Sequence, residues 1–185
     1  MGEIYRSTES NVIKDAAGGK AINKRYGPHR ALVFISHRQT DAAAAGAVAK
    51  VLIEVADVDV YLEAFDPKLS TSGNPNTVVS VIDFGLNACT HLVAVVSDNT
   101  RGSWWVPYEI GVARNRPVPC AVLPLSNVKD LPEYMRTVDV VKDTYELVGW
   151  TKKLPNRYIY KSVNPAEFAI PGLPSFRTDQ IIYRD

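Results

Sequence analysis

Short apolar runs alternating with helix-length segments are the feature that most restricts how this chain can fold. The five runs are Ala31–Ile35, Val58–Leu62, His91–Val96, Val118–Leu125 and Val138–Val141. They have the length of strands and are apolar almost throughout, which is typical of parallel strands buried on both faces. The alternation predicts an α/β protein, a three-layer sandwich in which helices cover a central five-stranded parallel sheet. We expect Ala31–Ile35 to lie at the centre of that sheet.

The segments between the runs have the composition and apolar spacing of helices. The predicted helices span Ala42–Val55, Thr77–Ala88, about Trp104–Arg114, and Thr144–Lys153. The first is rich in alanine and carries an inward stripe of Ala45, Val48, Ala49, Leu52 and Ile53. In the second, the residues expected to face inward are Val78, Val81, Ile82 and Leu86. Thr40 or Asp41 would cap the first helix, and Pro107 suggests that the third becomes regular only near Val106 or Pro107.

Composition and charge exclude several classes of protein. The chain has 185 residues, of which 46% are hydrophobic, enough for one globular domain with a sizeable core. Its formal net charge is +1 and its basic residues are scattered, so we expect no nucleic-acid partner and no membrane partner. No apolar run reaches the roughly 18 residues of a transmembrane helix, and the polar first residues do not resemble a secretory signal. We therefore expect a cytoplasmic protein.

Cysteine and histidine usage argues against a disulfide and against a metal site. Cys89 and Cys120 both lie in apolar surroundings, which favours two buried thiols. The histidines lie at positions 29, 37 and 91 without ligand spacing, so no metal is expected. His91 opens a buried strand and is interpreted as a structural residue. No glycine-rich loop joins a strand to a helix, which argues against dinucleotide-binding fingerprints and P-loop enzymes.

The predicted elements divide the chain into three parts. Residues 1–29 form an N-terminal extension, residues 30–153 form the domain, and residues 154–185 form a C-terminal tail packed on it. Ligands of parallel α/β folds bind beyond the carboxyl ends of the strands. The polar segments expected at that edge are Ser36–Asp41, Glu63–Asn76 and Ser97–Glu109. A candidate site must be built from these segments.

Side chains able to bind or transform a ligand occur in all of these segments. Arg38 follows the first strand, where its planar guanidinium would clamp a phosphate or would simply be exposed on a turn. Trp105 and Glu109 are four residues apart, so in a helix they share one face and suit a flat, cationic ring. The alternative places the indole over the sheet edge and leaves Glu109 solvated. Glu63 directly follows the second strand and points either into the site or to solvent.

The ordered set of motifs resembles the TIR domain family over roughly residues 30 to 125. Val33–Gln39 (VFISHRQ) is similar to the first box of the family, and Val60–Pro67 (VYLEAFDP) resembles its second strand and BB loop. Trp105–Ile110 (WVPYEI) resembles the Trp-x-x-x-Glu segment of TIR domains that cleave NAD+. The resemblance implies a flavodoxin-like fold, the TIR fold. It also implies self-association through TIR–TIR contacts.

The resemblance further implies roles for individual residues. Glu109 would be the catalytic glutamate, Trp105 would line the nicotinamide pocket and Arg38 would contact the phosphates. The rest of the implied substrate-binding set is Ser36, His37, Glu63, Phe65 and Asp66. The loop Glu63–Pro75 would gate the site or make assembly contacts. NAD+ enters as the substrate, and no cofactor is expected.

Several functions fit this resemblance, and the sequence leaves the choice open. The first is an NAD+ glycohydrolase or cyclase that makes ADP-ribose or a cyclic ADP-ribose-type signal. The chain resembles bacterial TIR proteins of antiphage defence, including the TIR subunit of Thoeris systems, whose product activates a separate effector. The alternatives are a non-catalytic TIR adaptor that acts through protein contacts and an enzyme similar to nucleoside deoxyribosyltransferases.

Overall fold

A computed structural model describes residues 2–5, 31–56, 58–63, 75–116, 118–151 and 169–173. The strands are β1 (Gly2–Tyr5), β2 (Leu32–Ser36), β3 (Asp59–Glu63), β4 (His91–Val96), β5 (Cys120–Pro124) and β6 (Asp139–Val140). The α-helices are α1 (Ala42–Glu54), α2 (Pro75–Ala88), α3 (Trp105–Asn115) and α4 (Thr144–Thr151). Short 3-10 helices span Gln39–Asp41, Asp98–Gly102 and Glu133–Thr137. Strands and helices thus alternate from β2 to α4.

The strands form one sheet in the order β1-β3-β2-β4-β5-β6. Strands β2 to β6 are parallel, and β2 lies between β3 and β4, with Ile35 opposite both Leu62 and Val93. The predicted five-stranded parallel sheet with the Ala31–Ile35 run near its centre is therefore confirmed. Strand β1 adds an antiparallel edge beside β3, with Tyr5 opposite Val60. The sequence analysis did not predict this sixth strand.

Helices cover both faces of the sheet because successive strand residues point in opposite directions. Helices α1 and α4 pack on one face, where Val33 and Ile35 of β2 join the apolar side chains of α1. Helices α2 and α3 pack on the other face, against Leu32 and Phe34. Strand β2 is buried at every position, as expected for a strand with helices on either side. The three-layer α/β sandwich is confirmed.

The helix boundaries differ from the predicted ones by one or two residues. Helix α2 begins at Pro75, earlier than predicted, and α3 begins at Trp105 rather than at Val106 or Pro107. Proline is tolerated in the first turn of a helix because the N–H groups there have no intrahelical acceptor. Pro107 therefore does not delay the start of α3. Within the described part of the chain, no helix is both long enough and apolar enough to cross a membrane.

Both cysteines are free and buried, as predicted. Cys89 and Cys120 lie in the apolar cluster beneath α2 and α3. Burial raises the pKa of the Cys120 thiol to about 11 and raises the pKa of Cys89 as well. The two thiols are therefore protonated at neutral pH and serve the core as small apolar side chains.

Candidate functional site

The candidate site lies where the loops after β2 and β4 separate. The sheet order runs from β2 to β3 in one direction and from β2 to β4, β5 and β6 in the other. The connections after β2 and β4 therefore diverge to opposite faces of the sheet and leave a crevice at the carboxyl ends of these strands. In open α/β sheets this topological switch point is where ligands bind.

The loop after β2 places Arg38 against the loop after β4. Its Nη1 donates a hydrogen bond to the carbonyl oxygen of Asn99 at 2.5 Å. A methyl group on Gly102 would lie 3.1 Å from the same nitrogen, so the glycine leaves room for the guanidinium. One N–H of the fork thus fixes the side chain, and the remaining donors of the guanidinium can serve a ligand.

Asp41 links the same two loops from within. Its Oδ2 accepts a hydrogen bond from Ser97 Oγ at 2.6 Å, and its Oδ1 accepts one from Asn99 Nδ2 at 3.3 Å. Of the two residues predicted as caps of α1, Thr40 and Asp41, the second occupies the N-cap position, but the expected side-chain capping bond is absent. The Asp41 carboxylate instead bonds to the loop after β4 and so connects the two loops that border the crevice.

Ser97 organises the turn that follows β4. Its Oγ accepts a hydrogen bond from the backbone N–H of Asn99, and its own N–H donates to Thr100 Oγ1 at 2.9 Å. This reciprocal capping box satisfies backbone donors at the start of the 3-10 helix Asp98–Gly102. The turn is therefore held in a defined shape before the chain enters α3.

Helix α3 brings Trp105 and Glu109 onto the crevice. Because the helix begins at Trp105, the two residues lie one turn apart on the same face. The Trp105 ring meets Tyr108 edge-on at 6.1 Å, and the Tyr108 hydroxyl donates to Asp83 Oδ1 on α2 at 3.0 Å. Burial, then the hydrogen bond with Asp83 and its charge, raises the pKa of Tyr108. The Trp105 indole therefore packs edge-on against the ring of a protonated tyrosine.

A cavity of about 290 Å³ joins these elements. It is lined by Ile35, Ser36, His37, Arg38, Gln39, Gly102, Ser103, Trp104, Trp105 and Glu109. The polar groups among these residues include a serine only 1% exposed and a glutamate only 4% exposed. Ser36 Oγ forms no hydrogen bond in the described part of the structure. Because a buried hydroxyl without a partner is uncommon and Ser36 lines the cavity, this hydroxyl is a candidate to bond to a ligand there.

His37 adds no positive charge to this cavity at neutral pH. Burial lowers the pKa of its imidazole, and this effect exceeds the opposing influence of the Ile35 carbonyl and the Asp41 carboxylate. Its Nδ1 lies 3.3 Å from the carbonyl oxygen of Ile35. Among the described residues, no cluster of three or more His, Cys, Asp or Glu is placed to hold a metal ion. Among the described residues that line the cavity, the acidic and basic side chains are therefore those of Glu109 and Arg38.

The structure brings together Ser36, His37, Arg38, Trp105 and Glu109 from the predicted set. The backbone of Glu63 ends β3, and its side chain lies outside the described residues, as do Phe65 and Asp66. The sequence analysis missed the bond between Asp41 and Ser97 and gave no particular role to Trp104. The adjacent tryptophans could have indicated that one of them lies outside the core, since neighbours on a helix cannot both face the same core.

His91 has no place in this site. It is 6% exposed at the start of β4, where its Nδ1 lies 2.8 Å from Thr90 Oγ1 and its ring meets Trp150 edge-on. Burial lowers the pKa of His91 to about 4, so the ring is neutral at neutral pH. The prediction of a structural histidine is confirmed.

Comparison with known protein families gives a match to most of the described domain. The family model of the TIR domain matches residues 33–152, which run from the second residue of β2 through α4 and include every described residue that lines the cavity. No curated protein matches this chain.

Proposed function

Because this chain belongs to the TIR domain family, we propose that it cleaves the bond between nicotinamide and ribose in NAD+. The observation that carries the proposal is the pairing of Trp105 and Glu109 in one cavity that also contains Arg38. These residues provide an aromatic plane, a buried carboxylate and a guanidinium. Nicotinamide dinucleotides present the complementary features, namely a flat cationic ring, a reacting sugar that becomes cationic, and a diphosphate.

The part of the cavity between Trp105 and Glu109 is chemically suited to the cationic ring of NAD+. An indole face attracts a positively charged ring through its quadrupole, and the attraction strengthens when water is excluded. Glu109 is 4% exposed, so its carboxylate acts in a medium with much weaker screening than water. We assign the nicotinamide ring and the adjoining ribose to this part of the cavity.

The reaction needs one carboxylate. Ordinary glycosidases use a second acid to protonate the leaving alcohol. In NAD+ the electron pair of the C1′–N bond returns to the pyridinium nitrogen, so nicotinamide leaves as a neutral molecule and needs no proton. A positive charge develops on the ribosyl carbon, where Glu109 would stabilise it electrostatically. Water then bonds to C1′ and releases a proton, and the products are ADP-ribose, nicotinamide and H+.

Arg38 and Ser36 would position the substrate. The guanidinium is already held by the Asn99 carbonyl, so it would present its remaining N–H groups to the diphosphate without a large loss of freedom. The buried Ser36 hydroxyl would bond to a polar atom of the bound substrate. The Arg38 guanidinium is thus fixed before the ligand arrives, which favours the productive geometry.

The same intermediate allows a cyclic product. If an adenine nitrogen or a ribose hydroxyl of the same molecule replaces water at C1′, the product is a cyclic ADP-ribose isomer. Such a molecule would serve as a signal, and we propose a role in bacterial antiphage immunity in which it activates a separate effector. TIR–TIR self-association would accompany activity, and the protein would act in the cytoplasm.

The alternative is a TIR adaptor without catalysis. Incubation of the purified protein with NAD+, with products resolved by chromatography and mass spectrometry, separates the two functions. We expect nicotinamide together with ADP-ribose or an isomer of cyclic ADP-ribose. A series of protein concentrations tests self-association, since activity per molecule should rise with concentration. NAD+ that stays intact across the whole series would contradict the enzymatic proposal and favour the adaptor.

A further inference from the structure

Trp104 is the most exposed of the large hydrophobic side chains in the described part of the chain, at 89% exposure. It nevertheless lines the cavity that holds Glu109. The next most exposed side chain of this kind, Phe84, is exposed to 38%. An indole left in water loses the free energy of burial, which is large for an aromatic of this size. The exposed ring is therefore a candidate contact for a ligand.

The backbone of Trp104 is fixed although its side chain is exposed. Trp104 is the N-cap residue of α3, with φ −87° and ψ −22°. The preceding residue, Ser103, is held on both sides: its N–H donates to the Thr100 carbonyl at 2.9 Å, and its Oγ accepts from the Val106 N–H at 3.3 Å. The indole thus stands on a rigid base at the rim of the cavity, with its faces available for stacking.

The two neighbouring indoles have different surroundings. Trp105 is half-buried, supported by Tyr108 and packed against the apolar cluster under α2 and α3. Trp104 lies at the outer edge of the same cavity. A ligand that enters the cavity would therefore meet an anchored aromatic wall near the carboxylate and an exposed aromatic ring at the rim.

A cavity of about 290 Å³ is at the small end of ligand sites, so we expect part of a ligand as large as a dinucleotide to lie outside it. Its two flat rings differ in charge, since the nicotinamide ring is cationic and the purine is neutral. Glu109 favours the cationic ring inside the cavity. The neutral ring then remains outside, where stacking on an exposed indole requires no charge and no buried hydrogen bond.

We infer that Trp104 forms an outer subsite that stacks on the purine of the dinucleotide. The inference rests on the proposed function, because it takes a nicotinamide dinucleotide as the ligand. It adds a residue that determines affinity for the half of the substrate that does not react. Binding energy from a remote part of a substrate also helps to orient the reacting bond.

The test measures binding without catalysis. Titration calorimetry compares two ligands, carba-NAD+, which is not cleaved, and nicotinamide mononucleotide, which lacks the adenosine half. The wild-type chain is compared with Trp104→Ala and Trp104→Phe. Tyr145→Ala is the matched control, because Tyr145 is an aromatic on α4, exposed to 37%, that does not line the cavity.

We expect Trp104→Ala to weaken carba-NAD+ binding roughly tenfold or more, as alanine substitution does at other base-stacking aromatics. The phenylalanine variant should lose less than about threefold, because it keeps a stacking face. Binding of the mononucleotide should change less than about twofold, and the tyrosine control should match wild type for both ligands. Thermal unfolding should be unchanged, since the substituted side chain is exposed.

Several outcomes overturn the inference. Equal losses for carba-NAD+ and the mononucleotide would place Trp104 on the nicotinamide half. Unchanged carba-NAD+ affinity would show that the indole does not contact the dinucleotide. If the oligomeric state changes at the same time, Trp104 is a contact for another protein chain; if it does not, Trp104 contacts neither. Wild-type protein that does not bind carba-NAD+ would also overturn it. Trp104-dependent binding without cleavage of NAD+ would instead refute the proposed activity and leave the purine subsite standing.

Discussion

Ser97 Oγ donates a hydrogen bond to Asp41 Oδ2 at 2.6 Å, between two residues that are 56 positions apart in the chain. Both side chains are buried, with exposures of 2% and 7%. The bond joins the loop after β2 to the loop after β4, and these loops carry Arg38 and the approach to Trp105. A hydrogen bond to a charged acceptor in such a place contributes more to stability than a neutral one. The two loops are therefore positioned relative to each other before any ligand binds.

Asp41→Ala should destabilise the protein and impair its activity. The substitution leaves Ser97 Oγ and Asn99 Nδ2 without their acceptor, at a cost of about 1–3 kcal/mol in the free energy of unfolding. Urea denaturation measures this cost, and kcat/KM for NAD+ reports the displacement of the loops. A double-mutant cycle with Ser97→Ala should give a coupling energy of about 0.5–3 kcal/mol. Strictly additive effects of the two substitutions would show that the bond does not hold the loops.

Ser36→Ala should weaken substrate binding without destabilising the fold. The hydroxyl is buried and makes no hydrogen bond in the described part of the chain, so its removal breaks no bond within that part. If the hydroxyl bonds to substrate, its loss costs about 1 kcal/mol of binding, and KM should rise several-fold. Ser126→Ala, at an exposed serine outside the cavity, is the control. A drop in stability of more than about 1 kcal/mol, with KM unchanged, would indicate a structural role instead.

Stability should fall between neutral pH and pH 4.5 because of His91. The pKa of His91 is lowered to about 4 in the folded protein, whereas an unfolded histidine has a pKa of about 6.5. Between these values the unfolded chain binds a proton that the folded chain does not, so the free energy of unfolding decreases as the pH falls. The expected loss in the free energy of unfolding is about 2–3 kcal/mol at pH 4.5, and this loss is absent well above pH 6.5.

Urea denaturation of wild type and His91→Gln across this range isolates the effect. The variant cannot take up the proton, so its stability should depend less on pH. As the pH falls, the free energy of unfolding of wild type should therefore decrease more than that of the variant. His37, whose pKa is also lowered, is present in both proteins and cancels in the comparison. Parallel stability curves from pH 7.5 to pH 4.5 would rule out His91 as the source.

Two helical glycines should respond to alanine in opposite directions. A methyl group on Gly85 would lie 2.6 Å from Tyr61 Cε1 and 2.9 Å from Phe34 Cε2. These two rings are buried and stacked on each other, so neither can move away easily. Gly85→Ala should therefore lower the free energy of unfolding by about 1–3 kcal/mol. Gly46→Ala, with open space around the added methyl, should raise it by about 0.5–1 kcal/mol. Effects of the same sign in urea denaturation would contradict this packing.

Local patterns were enough to predict the parallel sheet and five of the described residues that line the cavity, namely Ser36, His37, Arg38, Trp105 and Glu109. The apolar run His91–Val96 is strand β4 with the predicted bounds, because a short apolar run that is rich in valine favours a buried strand over a helix. Trp105 and Glu109 share a helix face because their spacing matches the helical repeat. The sheet topology then brings them to the same edge as Arg38.

Long-range pairings could not be read from the same patterns. Asp41 satisfies the sequence rule for a helix cap, but its carboxylate accepts a hydrogen bond from the buried Ser97 hydroxyl of another loop instead of capping the helix. Strand β1 lies in an extension without clear periodicity and pairs with β3 through backbone bonds, which leave little trace in side-chain patterns. The exposure of Trp104 likewise depends on the orientation of α3 relative to the turn that precedes it, which local sequence patterns do not determine.

Glu109→Gln should reduce NAD+ turnover by roughly 100-fold or more while leaving the protein folded. The substitution keeps the size of the side chain and its tendency to form a helix, but it removes the negative charge. If that charge stabilises the developing ribosyl cation, the loss corresponds to about 3 kcal/mol of electrostatic stabilisation in the transition state. Single-turnover and steady-state assays measure the change, and thermal unfolding should shift little.

Glu54→Gln is the matched control for this substitution, because Glu54 is an exposed glutamate at the end of α1 outside the cavity. Its turnover should equal that of wild type, so a general effect of removing one negative charge is separated from an effect at the site. A Glu109→Gln protein with wild-type turnover would show that another residue stabilises the cation, even though the cavity is correctly placed. Wild-type protein that leaves NAD+ intact at every concentration would instead favour the adaptor, in which case both variants should keep partner binding unaltered.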